Sequence, residues 1–285
     1  MTILTLLGSR ADAGLLAMPI KALRDAGEDV WELPLTDETP WDAMRITAES
    51  IERWRPDWCM CLGDRFEVLG AALAAHLWRV PIAHWCGGDV SLGSYDHAMR
   101  DCLSRLATVH FVTSPASQIR LQAAGYSQVH LVGNPGLDYI LHGTWKRERP
   151  YAEPYVVVSY QAETETGTVD WPAVVAAIAG RTPFFLFPNR DTGNEAIDLA
   201  IRTYAFEHHC PTAAAVHHDE FLNLLFHCEE FIGNSSAIFY EAPALGVKTR
   251  EIGRRQQGRV EPWGDGHASE RMVKLLQEQR IPVSL

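Results

Sequence analysis

The stretch HWCGGDVSLGSYDHAMRD, beginning at His84, sets Asp, His and Cys side chains around a Gly-Gly pair directly after the apolar run VPIA. Carboxylates, imidazoles and thiols just beyond a strand are partly desolvated, which suits them to proton transfer. Gly87 and Gly88 lack a Cβ and let a ligand approach the backbone closely. If DHAMRDCLSRL is helical, Asp96, His97 and Arg100 fall at i, i+1 and i+4, with Asp96 and Arg100 on one face. The plain reading of that pair is an intrahelical ion pair; the functional one is an acid/base carboxylate. Cys86 is the unusual member, a thiol where such chemistry more readily uses a carboxylate. His84 and His110 lie inside apolar runs and read as core histidines.

Other loops after apolar runs carry similar candidates. In LGDRFE, Asp64 and Arg65 follow a buried strand; Asp64 reads equally as a helix N-cap, as a functional carboxylate or as both. In GSRADAG, Arg10 suits an anion, and an ordinary strand-to-helix turn fits as well. In PNRDTGNEAI, Asn189 and Asp191 either cap the next helix or line a cleft. The richest loop is FIGNSSAIFYEAPALG. A strand breaks at Gly233, and Asn234, Ser235 and Ser236 open a helix whose free N–H groups form a diphosphate cradle. Glu241 lies about one and a half turns on, where a carboxylate accepts from ribose hydroxyls. The plain alternative is a capped helix with a surface Glu. In REIGRRQQGR, Arg254, Arg255 and Arg259 either neutralise phosphate or belong to a solvated loop.

Strands and helices alternate behind these loops. ILTLLG, VWELPL, WCMCLG, VPIAHW, TVHFVTS and QVHLVG read as strands, with helices over LLAMPIKALRDAG, WDAMRITAESIERWR and FEVLGAALAAHLWR. Continuous apolar runs indicate a parallel sheet covered on both faces. TWKRERPYAEP, residues 144–154, is charged, proline-containing and without period, and reads as an interdomain linker. The alternation then restarts with YVVVSY, PFFLFP, AAVHH, EFIGNSS and KTREIG as strands and a helix near IFYEAPAL. The expected fold class is α/β, with two Rossmann-like doubly wound domains facing a cleft. Residues 1–145 form the sugar and acid–base side, 155–267 the nucleotide-binding side, and 268–285 a terminal helix that crosses back to the first domain.

The 285 residues, 47% hydrophobic, suffice for two cores, and a net charge of −11 argues against a general nucleic-acid scaffold. No run of about 18 apolar residues predicts a membrane span, and the N-terminus lacks the basic lead of a signal peptide. The six Cys include no CxxC pair, so free thiols and no structural zinc are expected, consistent with the cytoplasm.

Taken together, GSRADAGLL, RPDWCMCLGDRFEVLGAALAA, VPIAHWCGGDVSLGSYDHAMRDCLSRLATVHF, VGNPGLD, FPNRDTG, FIGNSSAIFYEAPALGV and IGRRQQGR resemble the UDP-N-acetylglucosamine 2-epimerase family, within it the hydrolysing branch. They run in family order over nearly the whole chain. The resemblance implies a two-Rossmann, glycosyltransferase-B-type fold and a UDP-sugar ligand. It places Arg10 and Arg65 on nucleotide or sugar phosphate, Ser235 and Ser236 on the diphosphate, Glu241 on the ribose and Arg255 on the nucleotide. Asp64 and Asp96 take the positions of catalytic carboxylates, and His97 adjoins them. Removal of the C2 proton with departure of UDP leaves a glycal, to which water or UDP adds back. No cofactor or metal is required, because Arg side chains and a helix N-terminus can carry the diphosphate charge. A homodimer is expected, as is common in the family.

Two positions depart from the family pattern. His-Ile-Glu-Gly-Gly reads His84-Trp85-Cys86-Gly87-Gly88 here, and Gln161 stands where a His serves the leaving diphosphate. The segment between Gly27 and Arg55 is also short. Three readings follow: a UDP-sugar 2-epimerase, a UDP-sugar-dependent glycosyltransferase on the same fold, and a UDP-sugar-binding relative without catalysis.

Overall fold

A computed structural model describes residues 1–189, 193–214 and 216–279, with Arg10 described in its backbone alone. The chain forms two compact units. The first holds Met1–Asp89, Asp96–Gly143 and the chain from Val260 on; the second holds Val90–Tyr95 and Thr144–Arg259. Residues 90–95 and 260–267 thus lie across the boundaries expected from sequence.

The first unit is built on strands β1 (Thr2–Leu7), β2 (Asp29–Pro34), β3 (Trp58–Leu62), β4 (Ile82–Trp85), β5 (Val109–Val112) and β6 (Val129–Leu131). They pair in parallel in the order β2-β1-β3-β4-β5-β6. All five residues of β3 are buried. Trp58, Met60 and Leu62 enter one apolar cluster, while Cys59 and Cys61 enter the other. A strand buried on both faces cannot alternate with polar residues, which is why it reads as an unbroken apolar run.

The second unit carries β7 (Val156–Ser159), β8 (Pro183–Leu186), β9 (Thr212–Ala213), β10 (Phe231–Gly233) and β11 (Thr249–Glu251). Their order is β11-β10-β7-β8-β9, again parallel. Chain order reverses between β1 and β3 in one sheet and between β7 and β10 in the other. Doubly wound sheets bind ligands at such switch points, outside the strands' carboxyl ends. Gly8–Arg10 and Gly63–Arg65 flank the first switch; Tyr160–Gln161 and Asn234–Ser236 flank the second.

Several expected elements change. The helix read over LLAMPIKALRDAG is present as Ala17–Asp25, but the loop before it, GSRADAG, carries a short helix of its own, Arg10–Leu15. The strand expected at AAVHH lies just before it, at Thr212–Ala213, and the last two residues of AAVHH cap and open the helix His218–His227. The helix read near IFYEAPAL is a three-residue 3-10 turn, Ser236–Ile238, followed by a four-residue helix, Glu241–Ala244. The 144–154 stretch is not a bare linker. Trp145 is buried against Phe226 with ring centroids 5.9 Å apart, and Arg147 lies over both rings. These contacts place its first residues within the second unit.

The helix Ala268–Glu278 docks on the first unit. Ala268, Met272 and Leu276, one stripe at i, i+4 and i+8, join the cluster that holds Leu16, Ile20 and Leu23. The buried Asp138 carboxylate caps this helix, accepting from the N–H groups of Ala268 at 3.1 Å and Ser269 at 2.7 Å. Removing a capping carboxylate leaves buried donors bare and costs about 1–2 kcal/mol. Asp138→Ala is therefore expected to lower stability by that amount in urea titration and to expose the terminal helix to proteolysis first. An unchanged midpoint would refute this role of the cap.

Candidate functional site

At the switch point of the first unit, Asp64 sits on the turn after β3. It is not the N-cap of the following helix, Phe66–Leu77; Arg65 occupies that position and makes no side-chain cap bond. The Asp64 carboxylate instead pairs with Arg100. Arg100 is buried, and its Nη1 also donates to the Asp89 carbonyl at 3.0 Å. The carboxylate of Asp89 accepts from the hydroxyls of Thr113 at 2.8 Å and Ser117 at 2.7 Å. Asp96 opens the helix Asp96–Leu106 and is buried, four residues before Arg100 and so on the same helix face. One guanidinium thereby ties the turn carrying Asp64 to the helix face carrying Asp96. The Arg100 pairing reaches beyond its own helix, which the intrahelical reading did not anticipate. The Asp64 partner comes from another strand end, and spacing alone does not reveal it.

His84 supports the same turn. The Gly63 carbonyl can only accept, so His84 Nε2 carries the proton and donates to it at 2.9 Å. Ser104 Oγ then donates to Nδ1 at 3.2 Å. Burial pushes His84 down to about 4, so it is neutral. Cys86 follows in a left-handed conformation, φ 65°, partly buried against the core. Gly87 faces the His84–Ser104 pair, where an added Cβ would stand 3.0 Å from each. Gly88, at φ 76°, packs on the Ser117 carbonyl. His97 is half-buried, with Nδ1 making no hydrogen bond.

Of the two readings of GSRADAG, the Gly8 and Ser9 backbone favours the ordinary strand-to-helix turn. The N–H groups of Gly8 and Ser9 donate to the Asp12 carboxylate at 2.9 and 3.1 Å, and Ser9 Oγ donates to it as well. The loop is filled by the chain's own carboxylate, which burial raises to about 6. The Arg10 side chain lies outside the described residues. Arg65 pairs with the buried Glu67 at 3.0 Å and lies over the Phe66 ring.

At the switch point of the second unit, Gly233 has φ 138°, and a Cβ there would stand 1.9 Å from the Ser159 carbonyl. Only glycine lets β10 run this close to β7. Asn234 is fully buried; its Oδ1 accepts from the Gln161 N–H at 2.7 Å, and its Nδ2 donates to the Gln161 carbonyl at 2.8 Å. Ser235 Oγ caps the short 3-10 turn through Ala237 N–H at 3.4 Å. No described backbone carbonyl accepts from the N–H of Ser235 or Ser236. A turn of three residues has no long helix dipole behind it, so the expected positive helix end is corrected; any anion here is held by local N–H and O–H donors.

Glu241 is not a surface residue. It is buried, and its Oε2 makes no hydrogen bond. Burial raises the carboxyl from 4.5 to about 7, opposed by a backbone hydrogen bond and by Arg259. Arg259 in turn donates to the Tyr240 hydroxyl. Arg255 is buried and donates to the Ala162 carbonyl at 2.8 Å, holding the strand end next to Gln161. Asn189 is not a cap for the helix Asn194–His208, whose N-cap is Gly193; its N–H donates to Gln161 Oε1 at 3.0 Å. Asp191 lies outside the described residues. Sequence reading missed Asn194, whose amide joins the same network, because nothing in its type distinguishes it from a helix-start Asn. No group of three His, Cys, Asp or Glu among the described residues is placed to hold a metal.

Known proteins share this fold. The family model for UDP-N-acetylglucosamine 2-epimerase matches residues 41–263. A UDP-N,N'-diacetylbacillosamine 2-epimerase (hydrolyzing) of Legionella pneumophila is 30% identical over 223 residues, 73% of this chain and 59% of that protein. A UDP-N-acetylglucosamine 2-epimerase of Neisseria meningitidis is 29% identical over 218 residues, 72% of this chain and 57% of that protein. The chain thus spans under two thirds of the length of these curated relatives. Among solved structures, the Methanocaldococcus jannaschii UDP-GlcNAc 2-epimerase in complex with UDP-GlcNAc and UDP superposes with a TM-score of 0.80 at 16% identity, over 98% of this chain and 100% of that one. The Neisseria meningitidis UDP-GlcNAc 2-epimerase bound to UDP-GlcNAc gives a TM-score of 0.77 at 15% identity, over 98% and 100%. The fold is therefore α/β with two Rossmann-like doubly wound units, the glycosyltransferase-B type.

The raised Glu241 carboxyl has a thermodynamic signature. The unfolded chain ionises there from about 4.5, the folded one only near 7, so the folded protein holds the extra proton in between. Stability contributed by this group is complete below about 4.5 and is lost as pH rises through about 7. Glu241→Gln is expected to match the wild type at pH 4 and to exceed it by on the order of 1–3 kcal/mol at pH 8 in urea denaturation. Asp12, raised to about 6, keeps its own slope in both proteins. Parallel stability curves for the two proteins would refute the burial of an ionisable Glu241.

Proposed function

The chain belongs to the UDP-N-acetylglucosamine 2-epimerase family, and we propose that it acts on UDP-GlcNAc or a related UDP-sugar by 2-epimerisation, with release of UDP. The observation that carries this reading is the Arg100 guanidinium, which ties Asp64 to the helix face bearing Asp96. Proton exchange at a sugar carbon needs two such groups, one to remove the proton and one to return it on the other face. The base takes the C2 proton, the C1–O bond breaks with its electron pair leaving on UDP, and a C1–C2 double bond forms. Water then adds at C1 and a proton at C2. Thiols are mostly protonated at neutral pH, so the base role falls to the carboxylates, and Cys86 serves as donor or contact at the sugar.

The second unit is proposed to hold the nucleotide. Glu241 offers a carboxylate oxygen without a partner to the ribose hydroxyls. Ser235 and Ser236 offer N–H and O–H donors to the diphosphate, and Arg255 and Gln256 support the adjoining turn. Free thiols at all six cysteines support a cytoplasmic location. Exposed Trp41, Leu73 and Leu77 on neighbouring helices support a homodimer, read by light scattering.

Incubation with UDP-GlcNAc in deuterated water, followed by NMR, tests the reaction. Deuterium at C2 together with ManNAc or UDP-ManNAc is the expected outcome. UDP release only on addition of an acceptor would establish glycosyl transfer instead, and binding with neither would leave a UDP-sugar-binding protein. Asp64→Asn and Asp96→Asn should each lower kcat by about 10²-fold or more while leaving UDP affinity within about twofold.

A further inference from the structure

Gln161 lies just past β7, and every polar group it owns except one is committed. Its Oε1 accepts from the Asn189 N–H and from Asn194 Nδ2, both at 3.0 Å. A backbone N–H can only donate, so the amide has its oxygen inward and its nitrogen outward. Asn194 is fixed in the same way: its Oδ1 accepts from the Ala162 N–H at 2.7 Å, so its nitrogen must be the donor to Gln161 and to the Asn189 carbonyl at 3.0 Å. The backbone N–H and C=O of Gln161 are both held by Asn234. The residue can neither flip nor swing away. Among the described residues nothing accepts from its Nε2. That group lies at the switch point, one strand over from the Ser235–Ser236 turn, whose N–H groups also lack carbonyl partners.

We propose that Gln161 is a non-titrating, fixed-orientation hydrogen-bond donor to the leaving diphosphate, that Asn194 is the residue that orients it, and that UDP departs without a proton from this position. The proposal rests on the UDP-sugar reading above. An amide gives the same two N–H bonds at any pH in the working range, and has no proton to transfer. When the C1–O bond breaks, the electron pair passes to the β-phosphate oxygen and remains there as charge. Since a phosphate monoester gives up its second proton near pH 6, an unprotonated UDP is an adequate leaving group at neutral pH. The donors stabilise that charge as it develops. Orientation is the whole of the effect: with the amide reversed, a carbonyl oxygen would face the phosphate and repel it.

The test is calorimetric binding of UDP and of uridine, which has no phosphate, to the full chain and to Gln161→Leu, Gln161→Glu and Asn194→Asp. Asn194→Asp keeps the acceptor for Ala162 and removes the donor that fixes the Gln161 oxygen. Expected are losses of UDP affinity of about 10-fold for Gln161→Leu, about 100-fold for Gln161→Glu and about 5- to 20-fold for Asn194→Asp, on the scale of one or two hydrogen bonds to a charged group. Uridine affinity should stay within about twofold in each, and thermal melting checks that each variant folds. A general loss of packing would weaken both ligands alike and overturn the assignment, as would unchanged UDP affinity in Gln161→Leu. Gln161→His should add an inflection near pH 6–7 to kcat/KM beyond the one Glu241 gives the wild type; a wild-type inflection that Gln161→Leu abolishes would also overturn it. Because the binding arms need no turnover, bound UDP without C2 exchange removes the epimerase reading while the affinity losses still test Gln161 and Asn194 as the oriented diphosphate donor; UDP release to an acceptor then keeps the departure step, and no release at all overturns it. Absence of UDP binding by the wild type removes both.

Discussion

The carboxyl end of the second sheet depends on one buried primary amide. Where parallel strands stop pairing, their last N–H and C=O groups lose ladder partners, and leaving such groups bare in the interior is costly. Asn234 answers this by bonding both backbone groups of Gln161 with one side chain. Its own carbonyl is taken by Gln256 Nε2 at 3.0 Å, and its N–H by the Ser159 carbonyl at 3.1 Å. The rest of the strand end is built outward from that arrangement, including the glycine at 233 and the outward-facing amide of Gln161. The first unit meets the same demand with a charge. Arg100 spans from a helix to the Asp64 carboxylate and the Asp89 carbonyl, while neutral His84 holds Gly63.

The fold was largely legible because both sheets are covered on each face. β3 is an unbroken apolar run for that reason, as is β7 up to its closing Ser159, and helices between strands follow from chain direction in a parallel sheet. The positions of Asp64, Asp96 and Glu241 were legible as residues just past strands. Their surroundings were not. The reach of Arg100 to the Asp64 turn was hidden because spacing reports only local neighbours. Spacing left open whether Glu241 is a site carboxylate or a surface one on a long helix; the helix breaks at Tyr240 and the residue is buried. That Asp12 takes the N–H groups of Gly8 and Ser9 was not legible either, since a carboxylate three or four residues on is as readily a surface one. Asn194 was invisible, since an Asn near a helix start is expected as a cap and here serves a strand end instead.

Cys86 stands where the family pattern has a carboxylate, and its backbone explains why such an exchange is tolerable. At φ 65° any side chain with a Cβ carries a similar backbone cost, about 1–2 kcal/mol. Glu and Cys therefore differ in chemistry at this position much more than in conformational strain. Its neighbours Gly87 and Gly88 make the remaining close contacts, with the His84–Ser104 pair and the Ser117 carbonyl.

The chain passes from one unit to the other after Asp89, after Tyr95, after Gly143 and after Arg259. The short excursion Val90–Tyr95 is stitched into the second unit: the Leu92 N–H donates to the Gln257 carbonyl at 3.0 Å, and the Tyr95 N–H to the Thr164 hydroxyl at 3.2 Å. A Cβ on Gly93 would stand 2.3 Å from the Arg254 carbonyl. Neither unit is therefore a contiguous stretch of sequence. Dissection at residue 143 would strip the first unit of its terminal helix and the second of the segment that backs Arg254 and Arg255. The protein has two cores but is indivisible as a gene: no single cut yields two intact halves.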